Sequence, residues 1–326
     1  ATYEFSKKGP TIAIRCELDA LPIDEKNQFI HKSKERGVSH KCGHDGHMAI
    51  VAGLIFWIKK QSFEIGKIVL LFQSAEETGQ GAFQMLNDER FPKLNIDYIF
   101  ALHNIPGQQM HSIITIDSGF SAEVQSFSIR LKGKESHASE PDNGINPATG
   151  ISEIVVALSK LNLNELQNSD FATLTPVYIN MGQKAYGISP AYGELHYTSR
   201  TWSSEKMTVL KSAIEQIVER ICNSNTLECT VEWFEYFPAS INNEECNKIV
   251  KKAAKSNKIK IIERPYPFKF GEDFGWFSKS YRTCMFGLGA GLETPPLHNV
   301  NYDFPDEIIE TGIDMFKTII TTIIQS

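Results

Sequence analysis

The chain has 326 residues, a length for which two domains are the natural expectation. Hydrophobic residues at 41% and charged residues at 22% describe an ordinary globular protein with enough apolar side chains for sizeable cores. A net charge of -6, with Lys and Arg scattered rather than clustered, argues against a nucleic-acid or anionic-membrane partner.

In chain order, residues 11–18 form a β-branched run that predicts a buried strand ending near Glu17 and Asp19, closed by Pro22. Residues 24–38 are polar and turn-rich, a surface loop. It leads into Cys42-Gly43-His44-Asp45-Gly46-His47, after which residues 46–60 read as an apolar helix. Residues 67–72 predict a second buried strand that stops at Glu76 and Glu77, and residues 82–87 a short helix. A third strand over residues 98–102 ends at His103 and Asn104. Three strands that each release acidic or histidine side chains at their carboxyl ends point to an open parallel α/β sheet with its active site in that crevice.

The pattern changes near Asp117. Strands are predicted over residues 127–131, 174–180, 193–201 and 229–234, with helices over 146–161 and 204–222. Strand, helix, two strands, helix, strand is a small α+β unit of ferredoxin-like order. From Pro238 the first kind of alternation resumes, with helices over residues 243–256 and 307–324 and strands over 258–262 and 283–287. The expected organisation is a discontinuous catalytic domain, residues 1–116 and 238–326, with a second domain, residues 117–237, inserted in its middle.

Six cysteines at irregular spacing (Cys16, Cys42, Cys222, Cys229, Cys246 and Cys284) suit reduced thiols in a reducing, cytoplasmic compartment. No apolar run is long enough to span a bilayer. The chain opens Ala1-Thr2-Tyr3 without a methionine, so its N-terminus is expected to be incomplete.

The chemistry concentrates around Cys42. Thiolate, neutral imidazole and carboxylate are the usual zinc-type ligands, and two glycines let the backbone between them bend tightly. Alone, Cys42 and its neighbouring histidines would read as a buried thiol beside helix caps, because two ligands do not hold a metal. Glu77, His103 and His298 complete an inventory with Cys42 and His44 that suffices for two metal ions sharing a bridging ligand. Of the adjacent pair Glu76 and Glu77, one carboxylate can bind metal while its neighbour serves as general base.

Several motifs fall in a familiar order: Leu18-Asp19-Ala20-Leu21-Pro22-Ile23, Cys42-Gly43-His44-Asp45-Gly46-His47-Met48, Ala75-Glu76-Glu77, Leu102-His103-Asn104, Gly133-Lys134-Glu135-Ser136-His137-Ala138, Gly271-Glu272-Asp273-Phe274 and Leu297-His298-Asn299. Together they resemble the M20 metallopeptidases. The Cys42 to His47 block is similar to the amidohydrolase branch that includes hippurate hydrolases, aminoacylases and plant auxin-conjugate hydrolases.

The resemblance implies a zinc-hydrolase (phosphorylase/hydrolase-like) three-layer α/β catalytic domain with an inserted α+β lid or dimerisation domain. It implies that Cys42, His44, Glu77, His103 and His298 hold two divalent cations, zinc or manganese with cobalt or nickel also acceptable, and that Cys42 bridges them. Glu76 would be the general base and Asp19 a partner that orients a ligand. His137 would reach a neighbouring subunit's active site to stabilise the oxyanion, and Arg200 would contact the substrate carboxylate, a group its planar fork suits. The family's asparagine-valine-isoleucine-proline stretch is replaced here by Gly187-Ile188-Ser189-Pro190, which carries no side-chain amide at the first position. The implied activity is hydrolysis of N-acyl amino acids or similar small amides by a homodimer or higher homo-oligomer assembled through the lid. A dipeptidase or aminopeptidase of the same family, and a non-catalytic metal-dependent binding protein, are the alternatives.

Overall fold

The computed structural model describes residues 1–325. Before the insertion the chain forms β1 (Thr2–Glu4), β2 (Lys7–Glu17), α1 (His44–Ile58), β3 (Ile65–Gln73), α2 (Gly81–Leu86), β4 (Tyr98–Ile105) and β5 (Ile113–Thr115). The middle segment forms β6 (Glu123–Lys132), β7 (Ser136–His137), α3 (Ala148–Ser159), β8 (Ala172–Met181), β9 (Ile188–Ser189), β10 (Tyr192–Thr201), α4 (Ser204–Ser224) and β11 (Glu228–Phe237). The return segment forms α5 (Glu244–Ser256), β12 (Ile261–Glu263), α6 (Gly275–Ser278), β13 (Arg282–Gly289) and α7 (Ile308–Ile324).

These elements make two compact units. The first comprises Ala1–Ser121, Ser240–Phe268 and the chain from Glu272 onward; the second comprises Ala122–Ala239 with Lys269–Gly271. In the first, seven strands lie in the order β1-β3-β2-β4-β13-β5-β12. The central β3, β2, β4 and β13 run parallel, and Ile12, Ala13 and Ile14 of β2 are wholly buried, as expected where helices cover both faces. Alternate residues divide between the faces: Ile12, Ile14 and Cys16 join the apolar cluster under α1, α5 and α7, while Arg15 turns the other way. Gly312 lets α7 approach α1 closely, since a Cβ there would stand 2.6 Å from Ile50 Cδ1.

The sheet is not wholly parallel, in contrast to the expectation from the strand and helix alternation. β1 pairs antiparallel with β3, and β5 pairs antiparallel with β13. The short connection from β4 to β5 leaves no room for the dozen or more residues a parallel crossover needs. The first helix also begins earlier than its apolar stretch: α1 opens at His44, with Gly43 left-handed at its N-cap and Asp45 in the first turn. His44 and His47 thus sit one helical turn apart. Likewise β4 continues through His103 and Asn104, which lie inside the strand.

In the second unit, β11, β6, β10 and β8 form an antiparallel sheet in that order, with α3 and α4 packed on one face. Burial alternates along β10, the signature of a sheet covered on one side. Ser203 caps α4, its hydroxyl accepting from the Lys206 amide. β8 is an edge strand, and from Pro176 to Met181 its residues are exposed on both faces. Among the described residues no helix is long and apolar enough to cross a membrane.

Candidate metal centre

The site is built at the carboxyl ends of β2, β3 and β4 and the amino end of α1. Gly43 makes the turn between Cys42 and the helix, with φ at +90°, and a Cβ there would stand 2.7 Å from Asn104 Oδ1 and 2.8 Å from the Tyr302 hydroxyl. After β3, Ala75 takes a left-handed φ of 56°, unusual for a residue with a side chain. The turn is closed by the Gly79 amide donating to Glu76 O (2.8 Å) and the Gly81 amide to Ala75 O (3.0 Å). Because the chain reverses here rather than running extended, the Glu76 and Glu77 carboxylates both approach His44 Nε2. His298 has a φ of 65°, and its amide donates to Lys41 O at 2.7 Å, which ties it to the residue before Cys42.

His44 and His103 each have one ring nitrogen engaged by the backbone. His44 Nδ1 donates to the Asp19 carbonyl at 2.9 Å, and His103 Nδ1 donates to the Asn104 carbonyl at 2.9 Å. His44 Nε2 then lies 3.8 Å from Glu76 Oε2 and 3.9 Å from Glu77 Oε1. His103 Nε2 lies 3.6 Å from Cys42 Sγ, and His298 Nε2 3.6 Å from Glu77 Oε1. The Asp19 carboxylate supports both sides: Oδ2 accepts from the Glu77 amide at 2.9 Å, and Oδ1 is 3.6 Å from His44 Nδ1.

Two groups of ligand atoms emerge, Cys42 with His44 and His103, and Cys42 with Glu77 and His298, each with its atoms within 4.8 Å of one another. Cys42 belongs to both. His44 Nε2 and Glu77 Oε1 are buried with no hydrogen-bond partner among the described residues, a costly arrangement unless a cation completes it. One sulfur, three imidazole nitrogens and one carboxylate form a donor set suited to divalent transition metals. The residues therefore fit a pair of cations.

Three further clusters carry the right atoms: His44 with Glu76 and Glu77, which overlaps the two groups above, Glu17 with His44 and His47, and Glu76 with Glu272 and Asp273. Glu17 Oε2 accepts from His47 Nδ1 at 2.7 Å. Glu76, Glu272 and Asp273 gather beside the Arg15 guanidinium, whose Nη2 is 3.0 Å from Glu272 Oε1 and 2.7 Å from Asp273 Oδ1.

The electrostatics describe a pocket crowded with acids. Burial, then the charges of Glu77 and Glu76, push the Cys42 thiol well above its ordinary range. For His44, burial favours the neutral ring, but Asp19, Glu17 and Glu77 outweigh it and raise its pKa to about 9. His103, buried beside His47, is lowered to about 3 and stays neutral. Burial and the neighbouring Glu272, Asp273 and Glu77 raise Glu76 far above an ordinary carboxyl. Bound cations invert this logic, since they favour every anionic ligand around them.

His137 and Arg200 belong to the second unit. His137 is exposed on β7, its Nδ1 2.6 Å from the Ser139 hydroxyl, and β7 pairs with β9 so that His137 lies opposite Ile188. The Ala138 amide donates to Gly187 O at 3.0 Å, so the substituted glycine lies beside His137. Arg200 is half-buried on β10 and donates through Nη1 to Lys269 O at 2.6 Å. Sequence reasoning passed over Arg15, Gln73 and Tyr302, which line the back of the first unit's site. Arg15 leaves one visible signal, a charge directly after the apolar run Ile12-Ala13-Ile14.

The sequence profile of peptidase family M20/M25/M40 matches residues 13–322. An N-acetyl-L-cysteine deacetylase from Bacillus subtilis is 35% identical over 274 residues, which cover 83% of this chain and 64% of that relative, somewhat under two thirds of its length. A hydrolase of undescribed activity from Staphylococcus epidermidis is 28% identical over 326 residues, 94% of this chain and 82% of its own. The crystal structure of a dinuclear metal-binding peptidase of the M20 family from Bacillus subtilis superposes with a TM-score of 0.84 at 24% identity, covering 99% of this chain and 84% of that one.

Proposed function

The chain belongs to peptidase family M20/M25/M40, and from that premise we propose that it hydrolyses the amide bond of N-acyl amino acids, releasing a carboxylic acid and an amino acid. The observation that carries this reading is the pair of ligand groups sharing Cys42, with a sixth side chain, Glu76, held 3.8 Å from His44 Nε2. A structural metal site has no use for that extra carboxylate, which argues against a protein that only binds.

When bound, a cation pair polarises the scissile carbonyl and acidifies a water molecule at neutral pH. The remaining work falls to the chain. Glu76 takes the proton from the attacking water through Oε2 and hands it to the departing amine. Asp19 fixes His44 and the Glu77 backbone so that both keep their aim. His137 of a neighbouring subunit donates to the developing oxyanion, and Arg200, anchored by its bond to Lys269, receives the substrate carboxylate.

The thiolate favours zinc, while the imidazoles and carboxylate also accept manganese, cobalt or nickel. The open edge of β8, with Val177, Tyr178, Ile179 and Met181 exposed, supports assembly into a homodimer through the second unit. Six free cysteines support a cytoplasmic location.

The test is a panel of N-acyl amino acids, N-acetylcysteine among them, beside matched dipeptides, assayed with added zinc or manganese. The expected outcome is turnover of the N-acyl compounds that a chelator abolishes. Preference for dipeptides would move the assignment to a peptidase, and no turnover by metal-loaded protein would overturn it.

A further inference from the structure

Arg15 is almost wholly inaccessible near the carboxyl end of β2, where an apolar residue would be expected. Its guanidinium divides among partners from three stretches of chain. Nε donates to Gln73 Oε1 at 2.9 Å, Nη1 pairs with Glu17, and Nη2 donates to Asp273 Oδ1 at 2.7 Å while lying 3.0 Å from Glu272 Oε1. Gln73 in turn donates from Nε2 to both Asp273 oxygens, at 2.8 and 2.7 Å, and the Ala82 amide donates to Asp273 Oδ2 at 2.8 Å. The Asp273 side chain is thereby fixed from three directions. Its own backbone amide is the group that meets Glu76 Oε1, at 3.3 Å. The other oxygen of Glu76 is left facing His44, at 3.8 Å from Nε2.

We propose that Arg15 is a positioning residue for hydrolysis, acting through Gln73 and Asp273 to hold the Glu76 carboxylate at one angle against the metal ligands. The inference rests on the reading of Glu76 as the general base. Four buried carboxylates, Glu17, Glu76, Glu272 and Asp273, crowd this region, and one planar cation keeps the turn at 272–274 from being pushed away. A guanidinium can grip Glu17, Gln73 and Asp273 at once because its donors are spread in a rigid fork; an ammonium at the same place cannot. Arg15, Gln73 and Asp273 all stand outside the five metal ligands, so the arrangement can fail while metal binding survives.

The experiment compares wild type with Arg15→Lys, and with Gln73→Met in case the first variant does not fold. For each, metal content, kcat and KM are measured, and a crystal structure locates Glu76. The expected result is two bound metals, KM within about threefold and kcat down roughly 10- to 100-fold, as for a displaced proton-transfer group. In the variant crystal the Glu76 carboxylate should have swung out of hydrogen-bonding reach of the Asp273 amide. Unchanged kcat, a Glu76 carboxylate that has not moved, or a decline of metal content in step with activity would each overturn the proposal. If wild type hydrolyses no amide, the functional reading falls, while the position of Glu76 in the variant crystal still decides the positioning role.

Discussion

Cys42 is the residue on which the two ligand groups converge, and single substitutions separate its role from those of its neighbours. Cys42→Ala is expected to leave less than one tightly held metal per chain, whereas His298→Ala, at the exposed end of one group, should leave about one. Mass spectrometry under native conditions reads both; equal reductions would argue against a shared sulfur. Glu76→Gln keeps the shape of the side chain and removes the base, so kcat should fall by about 10²- to 10⁴-fold with both metals retained. Near-normal turnover in that variant would remove Glu76 from the mechanism.

A pH dependence follows from the same side chains. In the metal-free protein the Cys42 thiol sits well above its ordinary range, and His44 titrates at about 9. Both carry protons at neutral pH and must release them to become ligands, and Glu76, raised in the same metal-free pocket, adds to the release, so metal binding expels roughly two or more protons per cation pair, and affinity climbs as pH rises toward 9. Calorimetry in buffers of different ionisation enthalpy measures the proton release. Affinity that stays level between about pH 6 and 8 would contradict it.

The elements carry these residues through backbone geometry that only certain residues tolerate. Gly43→Ala forces a Cβ into a left-handed position within 3 Å of Asn104 and Tyr302. The left-handed backbone alone costs about 1–2 kcal/mol, and the close approach adds to it. Chemical denaturation should show the destabilisation, together with weakened metal binding; a variant as stable as wild type would mean that the loop can re-form elsewhere.

How legible each element was in the sequence depended on its burial. β2, β3, β4 and β13 announce themselves as apolar runs, because both their faces are covered. The three-residue strands β1 and β5 do not, since their pairing is decided by distant partners. The start of α1 was hidden because its first turn is made of polar ligand-bearing residues rather than an apolar stripe. Cys42, His44, Glu77, His103 and His298 were readable in their motifs as candidate ligands. The network behind them was not: Arg15, Gln73 and Asp273 meet only because the chain returns after the insertion.

At the scale of the whole molecule, β8 is an edge of the second unit's antiparallel sheet, with exposed apolar side chains on both faces. Such edges invite a partner strand. Sedimentation analysis should find a dimer, and Ile179→Lys, which places a charge on that edge, should shift it toward monomer. A wild-type chain that stays monomeric at micromolar concentration would rule out this assembly.

The proposed chemistry requires that Cys42, His44, Glu77, His103 and His298 together hold a pair of cations. Anomalous diffraction at the zinc absorption edge, from crystals grown with zinc, tests it most directly. Two peaks are expected, one bounded by Cys42, His44 and His103 and the other by Cys42, Glu77 and His298. A single peak, or density lying instead among Glu76, Glu272 and Asp273, would contradict it.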